Sequence, residues 1–317
     1  MRHLLGSISI LGVLAGSVLV PALAQAQVNV VASIKPVHSL VASVMEGVGT
    51  PDLVVEGAGS PHSYSLRPST ARKIANADVV FWVGPQMESF LENPLENLAD
   101  DATIVTLSET DGLTLLSFRE GGDFEGHASE AEGEHLADDD HDNEAVDMHI
   151  WLDPQNAIAM LSEIEKTLSG ADPANAAQYA ANAKAEADEI TKASEILNAE
   201  LQDYHNKPFV VFHDAYRYFE EAYDLNAVGS VTVSPEVLPG AKRISEVRGK
   251  LENLGVACVF SEAQFNPRMV EVLKEGTRVN SAELDPLGST LDTGPQLYTD
   301  LLKQMGSAFS ACLSGNS

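Results

Sequence analysis

Two rhythms alternate along this chain. Short continuous apolar runs such as Val79-Val80-Phe81-Trp82-Val83 and Phe209-Val210-Val211-Phe212 suit strands buried on both faces. Between such runs, apolar side chains recur three and four apart, the spacing of one helix face. The pattern predicts strands over 28–34, 52–56, 78–83, 103–107, 209–212, 226–231, 256–260 and 279–284. It predicts helices over 35–45, 69–75, 87–98, 155–168, 215–223, 242–253, 267–275 and 294–311. Strands that alternate with helices predict parallel α/β sheets.

One stretch breaks this rhythm. From 173 to about 207 the chain holds no glycine and no internal proline, and Tyr179, Ala183, Ala187, Ile190, Ala193, Leu197, Leu201 and Tyr204 form a helical stripe. Asp172 reads as its N-cap, with Pro173 in the first turn and Pro208 as the stop. Such a helix is roughly 50 Å long. It lacks the sustained heptads of a coiled coil. The expectation is a backbone helix (172–207) joining an N-terminal α/β lobe (27–171) to a C-terminal α/β lobe (208–317).

The chain opens on Arg2, an apolar run over 4–20 and Ala24-Gln25-Ala26, which reads as a signal peptide over 1–26. No later run approaches the ~20 apolar residues of a membrane span. Removing the leader takes one Arg and no acid, so the formal charge of −28 becomes −29. That excess disfavours nucleic acid and anionic lipid as partners and favours cations. The expected product is a soluble periplasmic monomer with no membrane anchor. Twelve of the acids fall between Arg119 and Asp147, with His127, His135 and His141 among them and few large apolar residues. This segment reads as a disordered insertion in the first lobe, either a solvated linker or a weak zinc-collecting arm. Cys258 and Cys312 are too few for a thiolate zinc site; they are either a pair, favoured in an oxidising compartment, or two separate buried thiols.

Four polar residues sit beside predicted strand ends or loops of one kind: His62 after a Gly-rich loop, His149 beside Ile150-Trp151-Leu152, His213 after Phe212, and Asp285 after Leu284. Ligands of open α/β sheets bind beyond the carboxyl ends of strands. Three imidazoles with one oxygen form a tetrahedral set that suits Zn²⁺. Singly, each histidine is more often structural. Two positions in each lobe, converging in the cleft, make a metal site the sharper reading. Capture is expected to weaken as pH falls through the imidazole range, near ~6.5, because a protonated ring cannot ligate.

The stretches 57–69, 77–84, 148–154, 212–216 and 284–288 together resemble the metal-binding subunits of ABC importers, in order and over essentially the whole mature chain. The closest likeness is to the high-affinity zinc uptake (ZnuA-type) branch. The resemblance implies His62, His149 and His213 as metal ligands, with Asp285 or a water fourth. It implies a disulfide between Cys258 and Cys312, a His-containing acidic insertion, and membrane permease and ATPase partners. It also implies a long helix that limits lobe motion. Pro61 departs from members with Glu at that position. Manganese-binding relatives usually carry a carboxylate where His213 stands, which favours zinc as cargo. The alternatives are a manganese- or iron-binding protein of the same fold and, from another class, a secreted zinc hydrolase. The motifs H-E-x-x-H and H-x-x-E-H are absent, so the chain is expected not to be an enzyme.

Overall fold

The computed structural model describes residues 28–119, 146–232, 235, 239–266 and 268–315. The expected leader and the histidines His127, His135 and His141 lie outside the described residues. The first lobe holds a four-stranded parallel sheet in the order β2-β1-β3-β4, with β1 at Val30–Ala32, β2 at Asp52–Leu53, β3 at Val79–Trp82 and β4 at Thr103–Thr106. The second repeats that order as β6-β5-β7-β8, from β5 (Phe209–His213), β6 (Ala227–Thr232), β7 (Cys258–Glu262) and β8 (Asn280–Leu284). Helices α1 (Lys35–Val44), α2 (Pro68–Ala75) and α3 (Ser89–Leu98) belong to the first lobe. Helices α6 (Arg217–Tyr223), α7 (Ala241–Asn253), α8 (Arg268–Lys274) and α9 (Leu297–Leu313) belong to the second.

The continuous apolar runs are explained by burial on both faces. In β5, Phe209 and Val211 enter the main core, whereas Val210 and Phe212 enter a second cluster on the other face with Val259 of β7. The main core runs unbroken from Val31 in the first sheet through α4 (Pro154–Ala171) and α5 (Ala176–Leu201) to Phe309 in α9. Among the described residues, no helix is long and apolar enough to cross a membrane.

The connecting helix is shorter than its sequence suggests. Its 26 residues span about 39 Å, followed by a 3₁₀ turn at Gln202–Tyr204. Asp172 is not its cap. That residue ends α4, and its carboxylate accepts from Tyr179 Oη (3.0 Å) and Asn175 Nδ2 (2.6 Å), which turns the chain before α5 begins. The expected stripe is otherwise in place: Tyr179, Ile190, Ala193, Leu197 and Leu201 are buried. Helix α9 approaches so closely at Gly306 that a Cβ there would meet Leu197 Cδ1 at 2.6 Å. Ile150–Leu152, beside His149, is not a strand but a 3₁₀ turn leading into α4, where Asp153 caps Gln155 N (2.8 Å) and Pro154 takes the first position.

Glu186 lies on α5 with one buried, unpartnered oxygen. Burial first, then Glu189 and Glu46, push its carboxyl up to about 7, against the opposing pull of Lys303. A folded-state value above the unfolded one means that the charge penalty is absent at low pH. It builds between about 4.5 and 7 and persists above. Glu186→Gln is therefore expected to stabilise the fold at pH 8 by on the order of 1–2 kcal/mol and to change little at pH 4. Urea unfolding of both proteins at the two pH values reads this directly.

Candidate metal centre

The strand order of the second sheet reverses between β5 and β7, and a crevice opens there at the carboxyl ends of the strands. His213 is the last residue of β5 and Glu262 the last of β7. The Glu262 carboxylate reaches across the crevice, and its Oε1 accepts from His213 Nδ1 (2.7 Å) and from His213 N (3.2 Å). His149, in the first lobe, is held in the same way. Asp147 Oδ1 accepts from its Nδ1 (2.6 Å) and its backbone N–H (3.0 Å). A carboxylate can only accept, so both rings carry a proton on Nδ1, and in the neutral ring Nε2 is the atom left bare for a metal. These two Nε2 atoms face each other at 3.4 Å. Two nitrogens bound to one Zn²⁺ at ~2.0–2.1 Å stand about 3.3–3.4 Å apart at the tetrahedral angle.

His62 completes the group from the 57–62 loop. The Tyr64 ring packs so tightly under this loop that a Cβ at Gly59 would meet it at 2.9 Å. The His62 ring centre lies 5.4 Å from that of His149 and 5.9 Å from that of His213. One ligand atom from each of the three histidines lies within 4.8 Å of the others. His62 and His149 come from the first lobe and His213 from the second, so the group spans the cleft.

The electrostatics keep the rings ready for a cation. Burial, with His149 and His213 nearby, pulls His62 down to about 3, so its ring is neutral at physiological pH. Burial also pulls His213 down, but the charge and hydrogen bond of Glu262 outweigh it and the net shift is upward. Glu262 thus makes His213 a better base and by the same means a better metal ligand. Glu262→Gln is expected to weaken zinc binding about 10–100-fold, the usual cost of losing a carboxylate behind a ligating histidine, as titration calorimetry would measure.

Asp285 is buried next to the site but stands outside the histidine group. Its Oδ1 accepts from Gln264 Nε2 (2.9 Å) and Leu287 N (3.3 Å), and its Oδ2 from Ser289 Oγ (2.8 Å) and Thr290 N (3.3 Å). The loop after it is tied to the first lobe. Lys35 Nζ donates to the carbonyls of Gly288 (3.1 Å), Ser289 (2.8 Å) and Leu291 (2.8 Å), and Trp151 Nε1 donates to Pro286 O (2.8 Å). The other two histidines among the described residues, His38 and His205, stand away from this group. His38 is buried with Nε2 on Pro51 O (3.1 Å), and His205 pairs with Asp224 (3.2 Å).

The roots of the 119–147 segment bear on the site. Ser117 and Val146 form an antiparallel bridge, and the hydroxyl of Tyr218 on α6 accepts from Leu116 N (3.0 Å) and donates to Asp147 O (2.7 Å). Arg119 pairs with Asp214 and with Glu220 (2.6 Å), both in the second lobe. The residue that orients His149 is therefore anchored against α6, the helix that follows His213 in the chain.

Sequence reasoning missed Asp147, Glu262 and Gln264. Asp147 had a local signal, an acid two residues before a candidate ligand histidine. Glu262 and Gln264 had none, because their partners lie 49 and 21 residues away in the chain.

Comparison with known proteins agrees with this geometry. The profile of the family described as ZnuA, zinc-uptake complex component A, periplasmic, matches residues 30–312. The chain is 46% identical over 308 residues to the high-affinity zinc uptake system protein ZnuA of Brucella suis biovar 1 (strain 1330), covering 90% of this chain and 92% of that one. It is 36% identical over 326 residues to the protein of the same name from Paracoccus denitrificans (strain Pd 1222), covering 95% and 96%. Among solved structures, a crystal structure of ZnuA superposes with a TM-score of 0.75 at 21% identity, covering 91% of this chain and all of that one. The Mn²⁺ complex of FpvC from Pseudomonas aeruginosa gives 0.75 at 19% identity, covering 92% and 100%. Those two likenesses speak for the fold. The sequence match over nearly the whole described chain speaks for more: this chain belongs to the ZnuA family of periplasmic zinc-uptake components.

Proposed function

We propose that His62, His149 and His213 ligate Zn²⁺ in the cleft between the lobes, with an oxygen from Asp285 or a water as the fourth donor. The chain is a periplasmic zinc-binding protein that delivers its cargo to an ABC-type importer. Its specific docking partners are a membrane permease and, behind it, a cytoplasmic ATPase. The observation that carries the ligand assignment is the pair of bare Nε2 atoms, one from each lobe, 3.4 Å apart and each fixed from behind by a buried carboxylate. Two lone pairs facing each other in a buried cleft repel unless a proton or a metal cation lies between them.

Three imidazoles favour zinc over manganese, which takes oxygen donors more readily. The family consists of binding proteins, and the chain is not an enzyme. The mature protein, stripped of metal and titrated with zinc in competition with manganese, is expected to bind one zinc per chain at this centre more tightly than manganese. Tighter manganese binding would overturn the choice of cargo.

A further inference from the structure

We propose that Gln264 is a specificity-determining residue of this site: it holds Asp285 off the ion and seats a water in the fourth coordination position. The inference rests on the zinc reading above and concerns only what completes the shell. Gln264 lies just after β7, in the wall of the cavity formed with His62, His149 and His213. Its Nε2 donates to Asp285 Oδ1 at 2.9 Å. Because a carboxylate only accepts, this contact fixes which end of the amide faces Asp285. The other end, Oε1, is buried without a hydrogen-bond partner among the described residues.

A buried acceptor needs a donor. With the ion bound, the Nε2 atoms of His149 and His213 are committed to it, and a bare cation donates nothing. A metal-bound water supplies a polarised O–H. Asp285 already accepts from Gln264, Ser289 and the N–H groups of Leu287 and Thr290, and it would have to break from these to reach the ion. A carboxylate donor suits manganese, and a three-imidazole, one-water shell suits zinc. By withholding the carboxylate, Gln264 biases the site towards zinc.

The test uses the mature protein loaded with Co²⁺, whose visible spectrum reports its donor set, together with zinc–manganese competition by calorimetry. Gln264→Ala should free Asp285 to ligate, alter the Co²⁺ spectrum, and lower the zinc-over-manganese preference about tenfold, the scale of an outer-sphere contact. Adding Asp285→Asn to that variant should restore most of the preference, which a merely structural defect would not allow. Asp285→Asn alone should keep the wild-type spectrum. An unchanged spectrum and preference in Gln264→Ala would overturn the inference, as would a changed spectrum in Asp285→Asn alone. Either result leaves zinc capture by the histidines standing. Wild-type protein that fails to bind zinc, or a His213→Ala variant that binds it undiminished, overturns the underlying reading instead.

Discussion

His213→Ala is expected to weaken zinc capture on the order of 10²–10³-fold, with the fold intact. Structural zinc sites of four ligands carry about 10–16 kcal/mol in all, so one ligand accounts for about 2.5–4 kcal/mol. His213 is the second lobe's imidazole in the group, so its loss leaves only first-lobe imidazoles on the ion. It also leaves Glu262 buried without the ring it orients. His62→Ala should cost the same order in affinity, but with less disturbance, because no carboxylate stands behind that ring among the contacts described. Competition against a chelator of known affinity separates these variants. A loss of less than tenfold in His213→Ala would remove it from the ligand set.

The second large effect concerns the frame that holds His213 in place. Cys258, at the start of β7, and Cys312, near the end of α9, are joined in a disulfide with Cα atoms 5.8 Å apart. Of the two arrangements open from sequence, the pair is the one present. It closes a loop with a sequence separation of 54, for which chain entropy gives about 4 kcal/mol. Both cysteines are fully buried in the main core, which also holds Phe260 and Phe309, whose ring centres are 4.8 Å apart. Replacing both cysteines with alanine should therefore lower the unfolding free energy by about 4 kcal/mol, read from denaturant melts of the metal-free protein. Because β7 carries Glu262 at its other end, the oxidised protein should also hold zinc more tightly at temperatures where the reduced form begins to open. A change under 1 kcal/mol would mean that the surrounding core, and not the link, sets the stability of this lobe.

Much of this architecture is legible in the sequence, for physical reasons. The run Phe209-Val210-Val211-Phe212 could only be a strand covered on both faces, and the two cores on either side of β5 are the outcome. His213, the next residue, had to emerge at the carboxyl end of that strand, where ligands bind. Local chemistry misled where one residue had two uses. Asp172 before Pro173 looks like a helix start, yet its carboxylate serves Tyr179 and Asn175 at the turn between two helices. Ile150-Trp151-Leu152 has a strand's composition, but the cap at Asp153-Pro154 starts a helix too soon for pairing. The carboxylates behind the rings were hidden for a different reason. Glu262 meets His213 only because β5 and β7 are neighbours, and neighbour order is decided by the whole sheet. Pro61, the departure noted from sequence, lines the cavity, and its side chain offers no ligand atom where a glutamate would.

The central claim is that one ion joins imidazoles from the two lobes, and a zinc-edge X-ray absorption measurement on the loaded mature protein tests it most directly. The account predicts a four-coordinate ion with three imidazole nitrogens at ~2.0–2.1 Å and one oxygen, falling to two imidazoles when His213 is replaced. A wild-type spectrum with two or fewer imidazoles, or one unchanged by the His213 substitution, would contradict it.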